Sequence, residues 1–84
     1  MNVLKNPTTV KLLASQIIIA CDDYISLKMP EKQFKELIMH YASQHGKKLF
    51  SNGSVNPTIA IRIGKKRLEL INIMLSGFQL NFLI

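Results

Sequence analysis

Apolar side chains return at every third or fourth position through three successive stretches of this chain, and a proline opens each stretch. That period matches the 3.6-residue turn of an α-helix, not the two-residue repeat of a strand. Water drives such stripes together. The expected fold is therefore mainly α: a compact bundle of three to four helices with a short extended C-terminal tail. With 84 residues, 48% of them apolar, the chain has room for one core, and a single helical domain over 1–84 is expected.

Asn6-Pro7-Thr8 reads as the first helix start, with Asn as the cap and Pro at the first helical position, where an N–H has no partner. Val10, Leu13, Ala14, Ile17, Ile18, Cys21, Tyr24 and Ile25 form the stripe of a helix of about 18 residues. Met29-Pro30-Glu31 restarts the chain, and Glu31 favours the positive end of a new helix. Phe34, Leu37, Ile38, Tyr41 and Ala42 make its apolar face, and Gly46 is placed to stop it. Ser51-Asn52-Gly53-Ser54 is a turn or loop.

Asn56-Pro57-Thr58 repeats the capping signal for a third segment that runs to about Ser76 and stops at Gly77. As one straight helix it would have a very wide apolar arc, from Ile59 and Ile63 to Leu68, Leu70, Ile71, Met74 and Leu75. Such an arc belongs to a helix buried on most sides. Arg67 falls inside it. Either that side chain snorkels, or the helix breaks at Gly64 into 58–63 and 65–76 and changes phase; the break is preferred, because glycine inside a helix costs about 1 kcal/mol relative to alanine. From Phe78 to Ile84 the alternation of apolar and polar residues suggests a short strand or an extended packed segment.

One cysteine and two separated histidines fall short of a zinc cluster, and no disulfide can form within the chain. The expectation is a reduced, cytoplasmic protein without metal, cofactor or membrane span, and no signal peptide is read at the start. His40 and His45, five apart, share a helix face poorly and read as structural or surface residues. Adjacent Asp22 and Asp23 do not converge on one point. Cys21 lies on an apolar stripe and reads as a core filler. With no nucleophile–base pair and no phosphate loop, no catalytic residue is assigned and an enzyme is not expected.

Charge is the remaining signal. The formal net charge is +6. Residues 1–45 hold five Lys and four acids, a net of +1; residues 46–84 hold six Lys/Arg and Glu69, a net of +5. The candidate site is Arg62 with Gly64-Lys65-Lys66-Arg67, supplemented by Lys47 and Lys48. A short helix, a glycine turn and a second helix led by cations would set backbone N–H groups and positive charge beside a phosphate. The plainer alternative is a solvated face that only keeps the chain soluble.

Gly46-Lys47-Lys48-Leu49-Phe50, Asn56-Pro57-Thr58-Ile59 and Ile63-Gly64-Lys65-Lys66-Arg67-Leu68-Glu69-Leu70-Ile71 resemble segments of a family of small uncharacterised proteins of Firmicutes-type bacteria and their prophages. That resemblance implies a bacterial or phage accessory protein and carries over no activity. Two function classes stand. The first is binding of DNA or RNA, including transcriptional regulation. The second is a protein–protein interaction module, in which the apolar third helix and tail form a homodimer or seize a host protein. The first requires the cations on one exposed face; the second requires an open apolar patch.

Overall fold

The computed structural model describes the backbone of residues 4–83 and the side chains of residues 4–76. Helix α1 spans Val10–Ile25, α2 Glu31–Gln44 and the single turn α3 Gly46–Leu49. Strands β1 (Phe50–Ser51) and β2 (Ser54–Val55) follow, then α4 (Pro57–Ile63) and α5 (Lys65–Leu83).

Helix α1 begins later than its proline suggests. Thr9 is the cap, its Oγ1 accepting the Leu12 N–H at 3.0 Å. Two threonines after Pro7 offer a hydroxyl cap one turn further on, which frees the Asn6 side chain for other partners. Residues 4–9 thus form an arm, with Pro7 buried. At the other end of α1, Leu27 adopts a left-handed φ of 65°. Its N–H donates to the Tyr24 carbonyl and the Lys28 N–H to the Asp23 carbonyl, the paired bonds of a Schellman stop. Glycine usually occupies that position; here it is a leucine whose side chain lies in solvent.

Pro30 precedes α2 as its cap residue, and the Phe34 N–H closes the first turn on the Pro30 carbonyl. Gly46 does not end α2 in a left-handed turn. His45 is the cap, and Gly46 opens α3 in the next step of the chain. The expected turn at 51–54 is a small antiparallel hairpin, pairing Phe50 with Val55 and Ser51 with Ser54. Asn52 (φ 54°) and Gly53 (φ 82°) occupy its tip. Two successive positive φ values suit the right-handed twist of a tight hairpin, and Asn-Gly is the pair that tolerates them.

The break at Gly64 is real. Gly64 has φ 87° and ψ 163°, backbone territory open essentially to glycine alone. It lets α4 lie on α1 while α5 lies on α2. The arc therefore looked wide because one helical wheel superposed two faces with different phases. In the fold Ile59 and Ile63 are buried from α4, and Ile71, Met74 and Leu75 from α5, whereas Ile61 and Ile73 face water. They join Leu13 and Ile17 of α1, Phe34, Ile38 and Tyr41 of α2, and Leu49 in one core. Gly77 does not stop α5, which continues through Leu83 where an extended tail was expected. One interior glycine costs about 1 kcal/mol, which a long helix absorbs. Ile84 lies outside the described residues.

Candidate nucleic-acid interface

The candidate cations are arranged around α4. Asn56 fixes the upstream end. Its Oδ1 accepts the Thr58 N–H at 2.9 Å, capping α4, while its Nδ2 donates to the Lys48 carbonyl at 3.3 Å. Its backbone N–H donates to the Leu49 carbonyl at 2.7 Å. One asparagine thus joins the Lys47-Lys48 turn to the start of α4. Lys47 is exposed and Lys48 half-buried. Seven residues of helix rise about 10 Å. At the downstream end lie Arg62, in the last turn of α4, and Lys65 and Lys66, at the start of α5, all exposed.

The first backbone bond of α5 runs from the Leu68 N–H to the Gly64 carbonyl at 3.0 Å. The N–H groups of Lys65, Lys66 and Arg67 precede it and have no acceptor within the helix. No acidic side chain occupies that first turn. Cations there oppose the helix dipole, an arrangement that an external anion relieves.

Arg67 has a different place from its neighbours. Its Nε donates to Asp22 Oδ1 at 3.0 Å and its Nη2 to Asp22 Oδ2 at 3.2 Å, a forked pair that ties α5 to α1. Its Nη1 donates to the Ile63 carbonyl at 3.0 Å, bracing the break at Gly64. The hydrogen bond to Asp22 holds the guanidinium above its ordinary pKa. Arg67 belongs to the frame. Among the described residues this is the one ion pair the structure holds, so Lys47, Lys48, Arg62, Lys65 and Lys66 face no carboxylate at bonding distance.

Cys21 is wholly buried, and burial pushes its thiol up to about 12. It stays protonated at neutral pH, consistent with a core filler. His40 and His45, five apart, come together at the end of α2. Their rings lie 5.8 Å apart because α2 ends at Gln44, and His45, as its cap, leaves the helical phase and turns back toward His40. Both bond to the N-terminal arm. A helix end between the two, one residue before a glycine, was the signal available in the sequence.

Among the described residues no helix is long and apolar enough to cross a membrane. A family model described as "conserved hypothetical protein" matches residues 4–76, and the chain belongs to that family. The matched span contains every candidate cation. No curated protein and no solved structure matches the chain.

Proposed function

We propose that this chain binds nucleic acid, DNA or RNA, through the phosphate backbone, using Lys47 and Lys48 at one end of α4 and Arg62, Lys65 and Lys66 at the other. The observation that carries the reading is that five exposed or half-exposed cations flank one short helix without a carboxylate partner, while the sixth, Arg67, braces the turn between them. Lys65 and Lys66 oppose a helix start, and all five lack a carboxylate partner among the described residues, so a polyanion stabilises them. Backbone contacts of this kind position a protein without reading sequence.

Fluorescence anisotropy with a labelled duplex and a labelled single strand tests this. Five phosphate contacts give a log–log salt slope of about −4.5 on a duplex, a loss of roughly 500-fold between 50 and 200 mM salt. Replacing Lys65 and Lys66 with alanine lowers the slope by about 2. Binding that is absent at low salt, or equally strong at both salt concentrations, overturns the proposal.

A second reading has its own observation. Leu27 is 91% exposed and Ile61 82% exposed, and Ile61 sits directly beside Arg62 on α4. Ile61, exposed among the cations, would be the apolar contact of an interaction module that pairs with itself or with another protein. Sedimentation equilibrium separates the two. A dimer dissociated by Ile61→Lys, with no affinity for nucleic acid, favours the second.

A further inference from the structure

Where the arm of residues 4–9 crosses the end of α2, four donor atoms meet. His40 Nε2 lies 3.0 Å from the Lys5 carbonyl oxygen and 3.4 Å from Asn6 Oδ1. His45 Nε2 lies 3.1 Å from the same Asn6 oxygen. The two imidazoles stand edge to face at 67°, centroids 5.8 Å apart. We propose that this cluster is a binding site for one late first-row divalent ion, Zn²⁺ or Ni²⁺, ligated by His40 Nε2, His45 Nε2 and Asn6 Oδ1, with the Lys5 carbonyl or water in the fourth position.

The spacing is the argument. Ligands about 2.0 Å from a tetrahedral ion are about 3.3 Å from one another. The three nitrogen–oxygen separations, 3.0, 3.1 and 3.4 Å, bracket that edge. Two imidazoles that share an ion through Nε2 have ring centroids about 5 to 6 Å apart at tetrahedral or slightly wider angles, as these do. Without an ion, both rings donate an Nε2–H to an oxygen. To hold an ion, each ring would carry its proton on Nδ1 and offer the Nε2 lone pair.

The arm is held in register independently of the ion. Gln16 Oε1 accepts the Leu4 N–H at 2.8 Å, and the Tyr41 hydroxyl donates to the Leu4 carbonyl. Both anchors come from the packed core side of α1 and α2, where Gln16 and Tyr41 are buried. The ligands are therefore gathered before an ion arrives, which reduces the ordering cost of binding. Imidazole nitrogen selects zinc, nickel and copper over magnesium or calcium, which prefer all-oxygen shells. The donors are neutral, so a micromolar site is expected rather than a structural one on which folding depends. The site is separate from the cations around α4 and stands whether or not the chain binds nucleic acid.

Titration of the untagged full chain with zinc chloride at pH 7.5, followed by calorimetry, tests the inference. One equivalent should bind, and His40→Gln and His45→Gln should each weaken binding roughly 10- to 100-fold while circular dichroism stays helical. Magnesium chloride should produce no heat. In case either variant loses its fold, long-range nitrogen–proton spectra of the wild-type imidazoles decide: zinc must move the Nε2 resonance of both rings. Absence of stoichiometric binding, binding undiminished in the folded variants, or a shift at one ring alone overturns the site.

Discussion

Alanine at Gly64 and alanine at Gly46 should change stability in opposite directions. At Gly64 the backbone sits at φ 87° and ψ 163°, where an L-residue pays about 1–3 kcal/mol of strain. A Cβ there would meet nothing within 4 Å, so sterics neither add to nor relieve that cost. Removing glycine also restricts the unfolded chain, which returns about 0.4–1 kcal/mol. The net expectation for Gly64→Ala is a loss of about 1–2 kcal/mol. Gly46, by contrast, is the first residue of α3 and has no positive φ. Its Cβ would lie 3.8 Å from Phe50 Cδ2, an ordinary contact. Gly46→Ala should therefore stabilise by about 0.4–1 kcal/mol. For a domain of this size each kcal/mol moves the melting point by about 4–8 °C, so the two variants should straddle the parent by a readily measured margin. Urea denaturation followed at 222 nm gives both values, with an unchanged m-value showing that the folded and unfolded states keep their exposed areas. A continuous helix through residue 64 would make Gly64→Ala stabilising by about 1 kcal/mol instead. A gain in stability at position 64 would refute the break and the whole arrangement of α4 on α1 and α5 on α2.

Three further outcomes follow from the same contacts. Asn56→Ala removes the cap of α4 and the bond to the Lys48 carbonyl together, and should lower stability by about 1–2 kcal/mol in the same urea assay; a loss confined to a few tenths would mean the α3–α4 joint is not held by Asn56. Asp22→Asn breaks a forked but partly exposed pair with Arg67, so the expected loss is about 0.5 kcal/mol at low salt and less in 1 M salt, and an effect independent of salt would contradict a Coulombic origin. Burial raises Cys21 from 9.0 to about 12 and Tyr41 from 10.0 to about 12. The folded protein keeps both protons where the unfolded chain releases them, so this stability is whole below about pH 9 and declines as pH rises toward 12. A urea midpoint constant from pH 8 to 11.5 would show otherwise, as would rapid labelling of Cys21 by a thiol reagent in the native state at pH 8.

Helix periodicity carried most of the fold, because it reports burial and burial decides packing. Gly64 could be read as a break since the misplaced Arg67 contradicted a single wheel, and the structure resolves that conflict with the Asp22 pair. The start of α1 was less legible. Asn6-Pro7 and Thr8-Thr9 are both sound caps, and the choice depends on whether Asn6 has a better partner elsewhere. That partner is supplied by His40 and His45, thirty-four and thirty-nine positions away, and local spacing says nothing about contacts so remote. The end of α5 failed for the opposite reason: Gly77 is a strong local stop signal that the surrounding helix overrides. The cations around α4 were legible as a charge excess. Their distribution over its two ends, and the removal of Arg67 from the exposed set, required the fold.

The hairpin tip has a practical meaning. Gly53 projects into open space, and the two strands behind it are only two residues long each. Lengthening a surface loop costs only about 0.6 kcal/mol per doubling, since the chain ends are already held together. An epitope or fluorophore cassette placed between Asn52 and Gly53 would therefore leave the helices seated, and natural length variation within the family should collect there before anywhere else.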